Sequence, residues 1–228
     1  MKTTKVIDWV KFPSWWLPKL ENLQYKNDMY GTSNGKIAAL MIYIAILIES
    51  SKDEKFDAIK ISYSTILTYT GISRSSIKKG LNVLERLNVI KIDKSHKHNS
   101  YTLIDPNGFS KKWFKFPASS LLNKEQNRIV AFNNFTLRTK TELHALKILL
   151  YIGSVRDNKE LHSHASYDTL TRKLGISRND IPKALSLLYI NELLVKASPK
   201  ESLLLESDEK YNQPNMYFLK GYTKFIKR

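Results

Sequence analysis

Cysteine is absent from the 228-residue sequence, which excludes disulfide scaffolds, thiolate zinc sites and cysteine nucleophiles. No segment matches the GxxxxGK phosphate loop, the HExxH zinc motif or the GxSxG nucleophile motif. The longest uninterrupted apolar run, Ile37–Ile48, is much shorter than the roughly 20 residues that span a bilayer, and the N-terminus has no apolar signal core. We therefore expect a cytoplasmic protein that is not an enzyme, needs no cofactor or metal, and buries Ile37–Ile48 as a helix.

Acidic residues are scarce. The chain has 21 Asp and Glu against 37 Lys and Arg, a formal net charge of +16 and an isoelectric point near 9.8. Such a balance favours a polyanionic partner, with nucleic acid as the first candidate and an anionic membrane surface as the second. The length fits two domains of ordinary size.

An internal repeat with a spacing of 104 residues organises the chain. The segment Trp9-Val-Lys-Phe-Pro13 recurs as Trp113-Phe-Lys-Phe-Pro117, and Gly71-Ile-Ser-Arg74 recurs as Gly175-Ile-Ser-Arg178. The apolar positions that follow the glycine keep the same spacing, so the two halves are predicted to share one fold.

The seam between the two copies is predicted at Asp105-Pro-Asn-Gly108, a turn-forming cluster. This boundary gives a first domain over residues 1–104 and a second over residues 105–228. Asn99-x-Tyr101 aligns with Asn215-x-Tyr217 at a spacing of 116, so the last hairpin of the second copy is longer by 12 residues.

Each copy is predicted to contain a long helix, a short strand, two further helices and a hairpin. Ser33, Ser62 and Ser73 are placed to cap the three helices of the first copy, and Gly71 ends the second of them. A short helix, a glycine turn and a longer helix form the helix-turn-helix pattern, and the hairpin adds a wing. The predicted class is mostly α with small β-hairpins (α+β), as two tandem winged helix-turn-helix domains. The predicted segments are Ala58–Ile61, Tyr63–Thr70, Val89–Ile92 and Tyr101–Ile104 in the first copy, and Thr141–Ile152, Tyr167–Leu174 and a helix to Ile190 in the second.

The third helix of such a unit enters the major groove of DNA. Ile77, Leu81 and Leu84 must face the core, which turns the polar residues of the helix outward. These residue types bond bases or phosphates. The predicted DNA-binding residues are Arg74, Ser75, Lys78, Lys79 and Asn82 on the helix, Lys94, His96, Lys97 and His98 in the wing, and Arg178, Asn179 and Lys183 in the second copy.

The second copy departs from the first at two positions of its third helix, where Asp180 replaces Ser76 and Pro182 replaces Lys78. Proline forfeits an intrahelical bond, so this helix is predicted to start a turn later, capped by Asn179 or Asp180. The second copy is therefore expected to bind DNA more weakly or to bind protein. Its longer wing is also more acidic, with Glu201, Glu206, Asp208 and Glu209.

Three further groups of residues have an ordinary interpretation and a functional one. The aromatic segments around Trp9 and Trp113 could stack single-stranded bases, but packing across their own domain or in a dimer face is favoured. The pairs His96-Lys-His98 and His162-Ser-His164 could offer two metal ligands, yet no third ligand is evident. The basic tail is expected to be solvated rather than to contact phosphates; it consists of Lys220, Lys224, Lys227 and Arg228.

With Phe12-Pro13, Tyr43 and the stretch from Ile61 to Ile90, the chain resembles the N-terminal winged-helix domains of plasmid replication initiators and phage replisome organisers. It is also similar to general bacterial helix-turn-helix regulators. The resemblance implies that Ser73, together with the helix residues that follow it, lies at the DNA groove.

The sequence thus predicts a sequence-specific double-stranded-DNA-binding protein of a plasmid, phage or other mobile element. It would act as a replication initiator or as a transcriptional regulator, with no membrane partner, and whether it forms a homodimer is left open. The alternative is a winged-helix scaffold that binds other proteins without sequence-specific DNA binding.

Overall fold

A computed structural model describes residues 8–50, 59–93, 100–104, 112–123, 127–157, 160–195 and 215–222. The architecture is mixed α and β, as the sequence predicts. The elements of the first repeat are β1 (Trp9–Pro13), a 3-10 helix (Leu17–Asn22), α1 (Ser33–Ser50), β2 (Ile59–Lys60), α2 (Tyr63–Thr70), α3 (Arg74–Arg86), β3 (Ile90–Asp93) and β4 (Ser100–Leu103).

The second repeat has the same succession of elements, with an added hairpin and an added 3-10 turn before its last helix. Its elements are β5 (Trp113–Pro117), the hairpin β6 (Leu122–Asn123) and β7 (Arg128–Ile129), a 3-10 helix (Val130–Asn134), α4 (Lys140–Ser154), β8 (Ser163–Ala165), α5 (Tyr167–Leu174), a 3-10 turn (Arg178–Asp180), α6 (Ile181–Ile190), β9 (Leu194–Val195) and β10 (Asn215–Leu219). The strand order β2-β4-β3 of the first repeat recurs as β8-β10-β9 in the second.

The predicted cap of α2 is found, and the equivalent serine caps α5 in the second repeat. Ser62 accepts a bond from the backbone N–H of Thr65, and Ser166 accepts the equivalent bond from Thr169. Both helices end at a glycine with left-handed backbone, at φ 71° for Gly71 and φ 61° for Gly175. Only glycine adopts that conformation at little cost, so the two tight turns that lead into α3 and α6 follow from the sequence.

The cap predicted for α1 is wrong by one residue. Ser33 is already helical, and Thr32 accepts the bond from the N–H of Gly35 through its hydroxyl, at 3.3 Å.

Within the described part of the chain, α1 is the helix long and apolar enough to cross a membrane, with mean hydropathy 1.3, but 83% of that stretch is buried inside the protein. It is the central helix of the core, as its apolar run predicts.

The two repeats are joined by an antiparallel ribbon between β1 and β5. Lys11 pairs with Lys115 at its centre, and Phe12 and Phe116 lie on its buried face. Lys11 and Lys115 are equivalent residues of the two copies. Because equivalent positions pair with each other, the ribbon has an approximate two-fold axis at its centre.

Contacts away from the ribbon are reciprocal in the same way. The 3-10 helix of the first repeat packs on α5, and β7 of the second packs on α2. Gln24 reaches the carbonyl of Gly175 at 3.4 Å, while the guanidinium of Arg128 lies against Gly71. One continuous apolar cluster extends through both repeats. Each repeat thus covers part of the other.

The aromatic segments pack across the repeat boundary, so the prediction that each packs over its own domain is wrong in part. Trp9 stacks on Trp113 with ring centroids 5.8 Å apart. Phe12 contacts Tyr43 of its own repeat at 5.2 Å but also Phe114 of the other at 4.7 Å. The sequence marks these residues as apolar, whereas their partners depend on the pairing of β1 with β5.

Candidate nucleic-acid interface

Helix α3 packs closely on α1 through Gly80. A Cβ at this position would lie 2.9 Å from the carbonyl carbon of Ala38 and 2.6 Å from the Cδ1 of Ile42. Ile77, Leu81 and Leu84 are buried on the same side of α3, as predicted. The close approach fixes the face of α3 that stays in solvent.

That outer face carries the polar residues singled out from the sequence. Its members are exposed, and no hydrogen bond or ion pair holds Arg74, Lys78 or Lys79 among the described residues. Ser73 caps the helix by accepting the N–H of Ser76 at 3.2 Å. The charged groups of this face are therefore free to meet a ligand. The exposed positions are Ser73, Arg74, Ser75, Lys78, Lys79 and Asn82.

The sheet beside α3 adds two exposed lysines, Lys60 on β2 and Lys91 on β3. Their strands flank β4, which pairs with both. The predicted wing residues Lys94, His96, Lys97 and His98 lie outside the described residues, as do the predicted seam Asp105–Gly108 and the acidic positions of the longer wing.

In the second repeat the corresponding helix starts late, as predicted from Pro182. Residues Arg178–Asp180 form a 3-10 turn, and α6 begins at Ile181. The predicted side-chain cap is wrong, because the carboxylate of Asp180 makes no capping bond and instead pairs with Lys140 at 3.0 Å. The negative charge expected to repel phosphates is therefore largely neutralised within the protein.

Arg178 differs from its equivalent Arg74 in being held by its own repeat. Its guanidinium bonds the carboxylate of Asp168 and lies 5.8 Å from the ring centre of Tyr167. The first repeat has Ser64 where the second has Asp168, so Arg74 meets no carboxylate there. Of the other predicted residues of this helix, Asn179 and Lys183 are exposed.

Sequence reasoning missed two buried lysines, one in each repeat. Lys36 is fully buried and donates to the carboxylate of Asp28 at 2.6 Å and to two backbone carbonyls. Lys147 is equally buried, but it donates to one carbonyl, that of Leu23, at 3.0 Å. Burial, together with nearby Lys36, lowers the pKa of Lys147 to about 7. The spacing of apolar residues does not predict the burial of these lysines, because a lysine within an apolar run can lie either in the core or at the surface.

The buried His144 lies beside the start of α6. Its Nδ1 is 4.0 Å from the carboxylate of Asp180, and burial lowers the pKa of this histidine to about 4. His144 is thus neutral at ordinary pH, and the ion pair near α6 belongs to Asp180 and Lys140.

The second histidine pair is close in space. The Nε2 atoms of His162 and His164 are 2.9 Å apart, and Glu160 lies 3.8 Å from His162. Among the residues that the structure describes, no group of three or more His, Cys, Asp or Glu side chains could hold a metal ion.

The described member of the basic tail, Lys220, pairs with Glu192 at 2.5 Å.

A groove with a mixed polar and apolar lining, also missed from the sequence, lies at the far end of α6. Ile190 is 73% exposed and Val130 is 48% exposed, and both line it. Asn134 donates to Asn191 at 2.6 Å within the same groove. The first repeat has Arg86 at the position of Ile190, so this apolar patch is particular to the second repeat.

Comparison with known proteins gives no relative for this chain: no family model, no curated protein and no solved structure matches it.

Proposed function

We propose that each repeat is a winged helix-turn-helix unit and that the chain binds double-stranded DNA sequence-specifically, with α3 as its main reading helix. The protein would belong to a plasmid, phage or other mobile element and act as a replication initiator or transcriptional regulator. The observation that carries the proposal is the outer face of α3, where cationic and amide side chains stand exposed on a helix fixed by its opposite face.

The chemistry of that face suits a DNA groove. Arginine and lysine bond guanine, asparagine bonds adenine, and serine bonds either bases or phosphates. The exposed Lys60 and Lys91 on the adjacent sheet would add phosphate contacts, which position a protein on the duplex. A net charge of +16 would strengthen the non-specific part of the binding.

The two-fold ribbon favours a particular kind of target. A two-fold axis that relates the repeats also relates α3 to α6, and paired reading helices of this kind suit two half-sites in inverted orientation. We therefore expect an imperfect inverted repeat, with one half-site better defined than the other because the two helices carry different residues.

Selection of bound fragments from random duplex DNA, at near-physiological salt, tests the proposal. An enriched motif with one strong half-site would support it. Binding without any sequence preference, no tighter than that of a generic cation, would overturn it.

Initiation and transcriptional regulation share this binding chemistry, so a second experiment separates them. A test plasmid that lacks its own initiator is supplied with the protein and with the selected site. Replication that depends on the site assigns initiation, while a change in promoter activity alone assigns regulation.

Two exposed apolar side chains at the groove of the second repeat favour one alternative, a scaffold that binds other proteins. Exposed Ile190 and Val130 form a surface of the kind that partner proteins cover. The matched variants Ile190→Arg, which restores the charge type of the first repeat, and Lys79→Ala separate the two functions. A scaffold loses the binding of its partner protein with Ile190→Arg and keeps that binding with Lys79→Ala.

A further inference from the structure

We propose that Asp168 is a specificity-determining residue that keeps Arg178 from DNA and makes the second repeat the weaker reader. The inference rests on the proposed DNA-binding function. It attributes the weaker DNA reading of the second repeat to one carboxylate rather than to the late start of α6 alone.

The contacts of Arg178 carry the argument. Asp168 is the second residue of α5, and its carboxylate bonds the guanidinium directly. The ring of Tyr167 lies beside the same guanidinium. Arginine bonds guanine or phosphate through the same N–H groups that it offers to a carboxylate, so the side chain cannot fully serve both partners.

The first repeat is a natural control for this arrangement. It keeps the tyrosine, as Tyr63, and the arginine, as Arg74, but has Ser64 in place of the acid. No ion pair holds Arg74 in the described chain. A serine at this position is thus compatible with the same helix pair, and the substitution Asp168→Ser introduces the residue that the first repeat already has.

Exposure sets the expected size of the effect. The side chains are 63% exposed for Arg178 and 83% exposed for Asp168, so solvent screens the pair and it contributes little to folding. Removing the carboxylate releases the arginine without disturbing the core.

The test compares full-length variants on one duplex, the fragment that the wild-type chain enriches from random DNA. We expect Asp168→Ser to bind it about three-fold to ten-fold more tightly. If the freed arginine neutralises one more phosphate, the slope of log affinity against log salt becomes steeper by about 0.9. Arg178→Ala should change wild-type binding by less than about two-fold and should abolish the gain in the Asp168→Ser background.

Glu192→Ser is the matched control, because it also removes an acid from an exposed ion pair and also raises the net charge by one. It lies beyond the other end of α6, so we expect less than about two-fold tightening. Equal tightening by both variants, or a gain that survives Arg178→Ala, would show a general charge effect and overturn the inference while leaving DNA binding intact. If wild-type protein enriches no sequence at all, the proposed function fails and the inference with it.

Discussion

The two repeats have nearly the same elements, yet their third helices meet solvent differently. Residues 1–104 have a formal charge of +7 and residues 105–228 of +9, so overall charge would favour the second as the better DNA reader. Under the proposed function, local pairing would reverse that order. Among the described residues Arg74 has no hydrogen-bond or ion-pair partner, whereas Arg178 is bonded to Asp168 and Asp180 to Lys140. Net charge describes attraction at a distance, while the neighbours of each side chain determine what it can contact.

The largest test of the comparison asks whether the repeats are separate folding units. Phe12 and Phe116 are fully buried, and their rings are 5.5 Å apart across the ribbon. We expect Phe12→Ala and Phe116→Ala each to lower the free energy of unfolding by about 3 to 5 kcal/mol. Because one core serves both repeats, urea unfolding should show a single transition by tryptophan fluorescence and by circular dichroism. Two separated transitions would contradict the shared core, and Met29→Ala, at an exposed site, is the control.

The next test compares the buried lysines of α1 and α4. Lys36→Met leaves the Asp28 carboxylate and two carbonyls without their donor, so we expect a loss of about 2 to 4 kcal/mol in unfolding free energy. Lys147→Met removes one bond and a costly buried charge, so its loss should stay under about 1 kcal/mol.

The pH dependence of stability sharpens this comparison. The pKa of Lys147 is lowered to about 7 in the fold from 10.5, so between these values the unfolded chain binds more protons than the folded one. Stability contributed by this residue should therefore rise as pH increases from about 7 towards 10.5. Urea unfolding at both ends of that window measures the rise, and Lys147→Met should remove it. An unchanged rise in that variant would place its origin elsewhere.

A smaller difference concerns how closely each third helix packs. Gly80 of α3 has Ala184 as its equivalent in α6. Gly80→Ala would press a methyl group into the backbone of α1, and we expect a loss of about 2 to 3 kcal/mol by thermal unfolding. Ala184→Gly should cost only about 1 kcal/mol, mainly in helix propensity. Equal costs would indicate that the two helices approach their neighbours to the same distance.

The least disruptive test is made on DNA binding itself. Arg74→Ala should weaken binding to the selected duplex by about 1 to 3 kcal/mol if the side chain reads a base. Arg178→Ala should cost under about 0.5 kcal/mol, because that side chain is already engaged. Fluorescence anisotropy titrations measure both. A larger loss from Arg178→Ala would reverse the assigned roles of the repeats.

Much of the fold could be predicted from local pattern. The serine and glycine positions set the ends of α2 and α5, and the spacing of Ile77, Leu81 and Leu84 determined which face of α3 is exposed. Errors arose where a residue depends on distant partners. The late start of the helix at Pro182 predicts a cap from Asn179 or Asp180, yet the side chain of Asp180 pairs with Lys140, forty residues earlier in the chain.

The sequence by itself determined the repeat, the order of elements and the polar face of α3, because these depend on spacings of a few residues along one helix or turn. Tertiary structure decided that β1 pairs with β5, that Lys36 and Lys147 are buried, and that Arg178 is held by Asp168 while Arg74 has no such partner in the described part of the chain. These outcomes depend on which surfaces meet when the chain closes on itself. Local propensity contains no information about that choice, since the same lysine or arginine suits solvent, a carbonyl or a carboxylate.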